Sequence, residues 1–318
     1  MSKLSIVIPT YNRPSQLIKT LHQLVDQCRR SHVKILIIDN ASPHPVSEII
    51  TTNFSKFDDI ITVVRNSTNV GGNANICRCY ELCDTPWMWL LGDDDNPYPN
   101  SIEIILRQIQ EVPDDCAYIC FSTNRCQFLE TTNFSKEKNF WDYVERNQAL
   151  NNMSFISSGV YRADLAKLKM IQVNHAIFTS FPQLVMIRSL CLNENTIVLS
   201  KEKVCDWLMA DEDQHWCHTA VMAGIPALIS IEGFGRRSKK CLSSLFEACR
   251  PRPFSKWVIE SSFNEKGEGA EYFLHLFLNL LSIARGRYFF SCIQGIILCR
   301  LLVTFPSIRS FFANRNIS

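Results

Sequence analysis

The first 125 residues alternate short apolar runs with stretches of helical spacing, and this alternation limits the fold more than any other feature of the chain. Residues 4–8 form an apolar run ending at Pro9, which reads as a buried strand. From Pro14 to about Cys28, apolar side chains at Leu17, Ile18, Leu21, Leu24 and Val25 follow a helical period, with Arg13-Pro14 as the helix start. Further strands are expected at residues 33–38, 60–64, 87–91 and 117–121. Helices are expected after Gly71-Gly72 as far as Leu82, and from Asn100 to Glu111. Strands separated by helix-length segments imply right-handed βαβ units and a mostly parallel sheet. The loops leaving such strands at residues 9–14, 39–45, 65–73 and 92–96 then converge on one edge, where ligands bind.

Past residue 125 the pattern is less regular, with candidate strands at residues 153–161 and 195–199. The expected organisation is a ligand-binding half at 1–125, a half at 126–235 that completes the cleft and a basic helical extension at 236–318. Charge marks the last boundary. Residues 1–235 carry 20 Lys and Arg against 26 Asp and Glu, whereas 236–318 carry 13 against 5. A basic third of this kind faces phosphates or lipid head groups, or else neutralises the acidic part of its own chain. Uncharged runs at 272–284 and 288–299 each fall short of the roughly 20 residues of a spanning helix, and read as interfacial or packed core helices. Fourteen scattered cysteines without paired Cys-x-x-Cys spacing, and an N-terminus that opens straight into a strand, imply free thiols in a reducing cytoplasm.

The most informative cluster is Gly92-Asp93-Asp94-Asp95-Asn96, directly after the apolar run Trp87–Leu91. Three adjacent carboxylates repel one another and are costly at a half-buried strand end without a cation. Mg²⁺ or Mn²⁺ accepts such oxygen ligands and bridges readily to a diphosphate. Elsewhere the same triplet would read as a solvated acidic loop.

Four segments in order then resemble a known family. Residues 5–13, with Pro9-Thr10-Tyr11-Asn12-Arg13, are similar to the opening strand and loop of family 2 of the inverting glycosyltransferases. Ile37-Ile38-Asp39-Asn40-Ala41-Ser42, residues 65–75 and Trp89-Leu90-Leu91-Gly92-Asp93-Asp94-Asp95 resemble its second-strand, third-strand and metal-binding motifs. Residues 154–160 and 179–183 resemble the abequosyltransferase-like branch that assembles O-antigen and other surface polysaccharides. The resemblance implies an α/β GT-A fold: a Rossmann-like, mostly parallel sheet flanked by helices, here with a C-terminal helical extension. It implies a nucleotide-sugar donor, a divalent metal (Mg²⁺ or Mn²⁺) and a saccharide or lipid-linked oligosaccharide acceptor. It also makes 1–125 the nucleotide-sugar-binding half and 126–235 the acceptor-binding half. The place of work is the cytoplasm, with contact at the inner face of the membrane through 236–318.

By the same resemblance Pro9, Thr10 and Tyr11 wall the donor base and ribose, and Asp39 accepts hydrogen bonds from the base. Asn69, Gly71 and Asn75 approach the nucleotide, and Asp93 and Asp94 also line the donor. Asp94 and Asp95 hold the metal. Many relatives have Asp where this chain has Gly92. Asp213, with Glu212, is similar to the family's base, which takes the acceptor proton during attack on the anomeric carbon; His175 is a second candidate. The basic run Arg236–Lys240 is a candidate contact for a diphosphate. Competing readings are a catalytically silent nucleotide-sugar-binding scaffold and a nucleotidyltransferase. The latter would want a glycine-rich loop where Pro9–Arg13 stands. No Gly-x-Gly-x-x-Gly follows the first strand, and no nucleic-acid-binding module is recognisable.

Overall fold

A computed structural model describes residues 2–191, 195–207, 218–231, 239–263 and 269–305. The chain divides into two compact units, Met1–Gln214 and His215–Ser318. The sheet of the first unit runs without a break across residue 125, so β6 and β7 on either side of that position belong to one sheet.

The strands are β1 (Leu4–Thr10), β2 (Lys34–Asp39), β3 (Ile61–Arg65), β4 (Trp87–Leu90), β5 (Asn96–Pro97), β6 (Cys116–Ser122), β7 (Thr132–Phe134), β8 (Gly159–Arg162), β9 (Thr196–Lys203) and β10 (Cys205–Asp206). The helices of this unit are α1 (Pro14–Arg30), α2 (Val46–Phe54), α3 (Gly72–Leu82), α4 (Ser101–Glu111), α5 (Glu137–Asn147), α6 (Leu150–Met153), α7 (Ala163–Lys167), α8 (Met170–Asn174) and α9 (Pro182–Cys191). Among the described residues the main sheet has the order β3-β2-β1-β4-β8-β6-β9-β7. The pairs β1–β2, β2–β3, β1–β4 and β6–β9 are parallel, so the expected mostly parallel α/β sheet is present.

Hydrophobic burial explains the layering. Leu4, Ile6 and Ile8 of β1 share a core with Leu17, Leu21, Leu24 and Cys28 of α1 and with Trp89 and Leu91. The helical period of α1 starts at Pro14, whose fixed φ suits the first helical position. Pro9 does not end β1, contrary to the sequence expectation. Pairing with β4 stops at Val7, and Pro9 faces β2 only, so its missing N–H costs no central ladder bond.

One other expectation is corrected. Residues 153–161 are not one strand: α6 and a 3₁₀ turn at Ile156–Ser158 precede β8. Ser158 Oγ donates to the Asn152 and Phe155 carbonyls at 2.9 Å, side-chain bonds that compete with a strand ladder. β8 then enters the sheet antiparallel to both β4 and β6.

The second unit is helical in its described residues: α10 (His218–Ala227), α11 (Lys239–Cys249), α12 (Phe254–Ser262), α13 (Gly269–Leu280) and α14 (Arg287–Thr304). Phe246, Val258, Phe277, Cys292 and Cys299 are fully buried in it. Gly295 of α14 lies so near α13 and α12 that an added Cβ would sit 2.6 Å from Phe277 and 2.8 Å from Val258. The helix α14 is longer than its 12-residue uncharged run, and it is long and apolar enough to cross a membrane by length and composition. Its buried positions Cys292, Gly295, Cys299 and Leu302 form one stripe packed on protein.

Candidate donor site at the β1–β4 switch point

The strand order places the next strand after β3 on the far side of β1, so β1 and β4 flank the point where the winding reverses. Loops leaving two such strands open a crevice between them, the usual place for a ligand in a sheet of this kind. Here those loops are Thr10–Arg13 and Leu91–Asp95, and they meet. Thr10 Oγ1 donates to Asp93 Oδ2 at 2.7 Å, and Arg13 Nη1 donates to Asp93 Oδ1 at 3.2 Å and Asp94 Oδ2 at 2.9 Å. From α1, Thr20 Oγ1 shares its proton between the Asp93 and Asp95 carbonyls at 3.0 and 3.1 Å. Gln23 Nε2 donates to Asn96 Oδ1 at 2.7 Å, so α1 is sewn to the whole acidic loop.

The three carboxylates occupy different environments. Asp95 is buried, and Ser157 Oγ donates to its Oδ2. The same Ser157 Oγ accepts from the Gly92 N–H at 2.8 Å, and Trp89 Nε1 donates to the Ser157 carbonyl at 2.8 Å. Burial pushes the Asp95 carboxyl up to about 8, outweighing the Ser157 bond, and Asp94 and Asp93 add to the rise. Burial likewise raises Asp93 to about 6 against the opposing pull of Arg13 and Thr10. Of the three, Asp94 turns to solvent, with 30% of its side chain exposed. Arg13 thus supplies part of the cation that the sequence argument demanded, one charge against three carboxyls.

Gly92 has a steric cause in this arrangement, because a Cβ built there would overlap the Asp95 carboxylate. Gly92→Ala should therefore cost about 1–3 kcal/mol of stability, as overpacking does. Urea unfolding measures this, and an unchanged midpoint would mean that Asp95 swings aside freely.

The second and third parallel loops pack beside this centre. Asp39 is fully buried; burial raises its pKa, but donors from Ser42, Arg65 and Val46 outweigh that and hold it below the ordinary value. Its Oδ1 accepts from Ser42 N at 2.8 Å, while Oδ2 accepts from Val46 N at 3.3 Å and from Arg65. As it stands Asp39 orders the loop rather than presenting a free oxygen to a ligand. An asparagine network continues from it. Asn66 Nδ2 donates to Asn40 Oδ1 and Asn75 Oδ1, each at 2.9 Å, and Asn40 Nδ2 donates to Asn69 Oδ1 at 2.8 Å. Gly71 has φ +85°, a conformation that favours glycine, and it leads into the N-terminus of α3. Tyr11 is 43% exposed, and its sequence neighbours Thr10 and Asn12 line a small, partly open cleft with Arg13, Ser42 and His44.

The sequence-derived residues Pro9, Thr10, Tyr11, Asp39, Asn69, Gly71, Asn75, Asp93, Asp94 and Asp95 thus lie at the ends of β1 and β2, on the loops that follow β1, β3 and β4 and on the first turn of α3, segments joined by hydrogen bonds. Glu212 and Asp213 lie outside the described residues, as do Arg236 and Arg237 of the basic run. His175 is exposed at the end of α8. Sequence reasoning gave no role to Arg13, Thr20, Arg65 and Ser157. Ser157 stands in a segment singled out for its resemblance, yet only the fold brings it to Asp95.

Among the described residues no three or more His, Cys, Asp or Glu side chains are grouped to enclose an ion. The excess negative charge of the acidic loop and its hard oxygen donors nevertheless fit Mg²⁺ or Mn²⁺, which keep waters and take diphosphate oxygens rather than needing a protein cage.

Comparison with known proteins agrees with this geometry. Over 132 residues the chain is 29% identical to the abequosyltransferase RfbV of Salmonella typhimurium, covering 41% of this chain and 39% of that protein. Over 111 residues it is 31% identical to an uncharacterized glycosyltransferase of Haemophilus influenzae, covering 35% and 36%. The chain thus matches well under half the length of these two relatives. S. aureus TarS 1–349, solved in complex with UDP-GlcNAc, shares the fold with a TM-score of 0.61 at 14% identity, over 89% of this chain and 82% of TarS. The mannosyltransferase PcManGT from Pyrobaculum calidifontis, solved with GDP-Man and Mn²⁺, gives 0.55 at 10% identity, over 96% and 87%. Residues 5–165, half of the chain and the part that builds the β1–β4 crevice, match the model of glycosyl transferase family 2, and the chain belongs to that family.

Proposed function

We propose that the chain is a metal-dependent, inverting glycosyltransferase that moves a sugar from a nucleotide-sugar donor to a lipid-linked saccharide during surface polysaccharide assembly. The observation that carries this reading is the meeting of the Pro9–Arg13 loop with Asp93–Asp95 at the switch point of the sheet. Complexes of TarS with UDP-GlcNAc and of PcManGT with GDP-Man and Mn²⁺ support the donor class and the metal.

In this reading Pro9, Thr10 and Tyr11 line the base and ribose. Asp39, through the loop it orders, and Asn69, Gly71 and Asn75 shape the nucleotide side. Asp94, the exposed carboxylate, and Asp95 beneath it hold the ion, which when bound stabilises negative charge on the departing diphosphate. Arg13 keeps Asp93 and Asp94 in place until donor arrives. The acceptor oxygen attacks the anomeric carbon from the face opposite the nucleotide; the new C–O bond forms as the bond to the diphosphate breaks. Asp213, with Glu212 beside it in sequence, is assigned the acceptor proton. In support, β10 pairs Cys205–Asp206 with Pro97 and Asn96 beside the acidic loop, and Asp206 stands only seven residues before Asp213 in the sequence. Work at the inner membrane face fits α14, whose Phe290 and Ile297 are 70% and 55% exposed.

Calorimetric titration of UDP-, GDP-, CDP- and dTDP-sugars with and without Mn²⁺, on wild type and Asp95→Ala, tests the reading. One nucleotide class should bind, only with metal, and not to the variant. Binding without any transfer to saccharide acceptors would mark a silent scaffold instead.

A further inference from the structure

The segment from α7 to the 3₁₀ turn at Ile177–Thr179 folds against its own amphipathic logic. Its backbone forms successive helical turns, with Lys169 N donating to Ala166 O at 2.9 Å, His175 N to Ile171 O at 3.1 Å and Thr179 N to Ala176 O at 3.0 Å. The side chains turned inward are small: Ala163, Ala166, Val173, Ala176 and Thr179 are all buried. Three large apolar ones point out, with Leu168 71%, Ile171 70% and Phe178 61% exposed, while Leu165, Met170 and Ile177 are half-buried. Hydrophobic burial alone would favour the reverse. Three large apolar side chains left in water within eleven residues mark a contact surface.

Charge identifies the occupant. Lys167, Lys169 and His175 are interleaved with these residues, and no acidic residue occurs between Asp164 and Glu194. Of the acidic neighbours, Asp164 is paired with Arg162 at 3.2 Å, and Glu81 of α3, on which α7 and α8 pack, with Arg78 at 2.7 Å, while Asp84 lies with Lys167 in the surroundings of Cys83. Two lysines against the single Asp84 leave net positive charge beside exposed apolar groups, the composition of an element lying in an anionic membrane interface. We infer that Leu168, Ile171 and Phe178, with Lys167 and Lys169, dock the first unit on an anionic phospholipid surface. Asn73, at the start of α3, donates to the Ile177 carbonyl at 3.1 Å, which ties this surface to the Gly71–Asn73 donor loop. A lipid-borne acceptor would then be presented on the donor side, a consequence that rests on the function proposed above; the docking itself does not.

The test is co-sedimentation of the full chain with phosphatidylcholine vesicles, with and without phosphatidylglycerol. Leu168→Ser/Ile171→Ser/Phe178→Ser should weaken binding to anionic vesicles by about tenfold or more, and Lys167→Glu/Lys169→Glu by about tenfold on anionic vesicles only. Both variants change exposed side chains, and an unchanged thermal melt confirms the fold. Wild-type affinity in both variants overturns the inference, as does loss only in the α14 variant Phe290→Ser/Ile297→Ser. No vesicle binding by wild type, with a dimer that the triple variant abolishes in light scattering, would make a second copy the occupant and also overturn it. Absence of nucleotide-sugar binding in the calorimetric experiment would sink the proposed function and leave the vesicle result standing.

Discussion

Asp94→Asn is expected to lower kcat/KM by about two to three orders of magnitude, the several kcal/mol that a bound divalent ion contributes to charge stabilisation. The melting temperature should hardly move. Asp94 is the solvent-facing member of the triplet, and its partner Arg13 keeps its bond to Asp93 in the variant. A steady-state assay with the nucleotide-sugar identified by titration, run across a Mn²⁺ series, reads the effect. The variant should need far more metal for the turnover it retains. Turnover equal to wild type at equal metal would remove Asp94 from the proposed ion site.

The second large effect concerns stability, and it runs against activity. Without divalent metal at pH 8, Asp95→Asn should be more stable than wild type by on the order of a few kcal/mol, with the difference gone near pH 4. Burial pushes the Asp95 carboxyl up to about 8 from its ordinary 3.8, whereas the unfolded chain ionises near the ordinary value. Between about pH 4 and 8 the unfolded state has therefore released a proton that the folded state keeps. Wild-type stability must fall as pH rises through that window and level off above it. The substituted amide cannot ionise, so this contribution to the slope vanishes, while its oxygen still accepts from Ser157. Asp93, raised to about 6, adds its own slope in both proteins, altered in the variant only by the loss of its coupling to Asp95. Urea unfolding at pH 4, 6 and 8 measures the difference. Added Mn²⁺ should stabilise wild type at pH 8 and leave the variant unchanged. Parallel pH curves for the two proteins would show that Asp95 is not held in a site that resists its charge.

That stored cost has a functional sense. A site built to receive a cation holds its carboxylates in a place that is unfavourable until the cation comes, and Arg13 offsets only part of the repulsion. A chain selected for stability alone would carry an amide in place of the Asp95 carboxyl, and the acidic loop would then have no need of a cation.

What the sequence by itself determined is what local period and side-chain chemistry control. The runs of β1, β2, β3, β4 and β6 are apolar because their strands are buried, and the helical spacing of α1 and α4 follows from one face covering the sheet. Both signals lie within a few residues of each other. The placement of Asp93–Asp95 at a strand end was legible for the same reason. The helix α2 was not read from the sequence, although Val46, Ile50 and Phe54 recur every four residues, because the turn residues before it masked the pattern.

The tertiary structure alone decided the rest. Arg13 finds Asp94 across 81 residues of sequence and Ser157 finds Asp95 across 62, and no local pattern encodes such partners. Only the end of the 153–161 run becomes the strand β8, because Ser157 spends its side chain on the distant Asp95 and Ser158 spends its own on the nearby Asn152 and Phe155 carbonyls rather than on a regular ladder. The outward turn of Leu168, Ile171 and Phe178 was likewise invisible, since a helical sequence does not show which of its faces its neighbours leave uncovered. Apolar period tells that a surface will be buried; only the packing of α7 and α8 on α3 through small residues tells which surface is left for a partner.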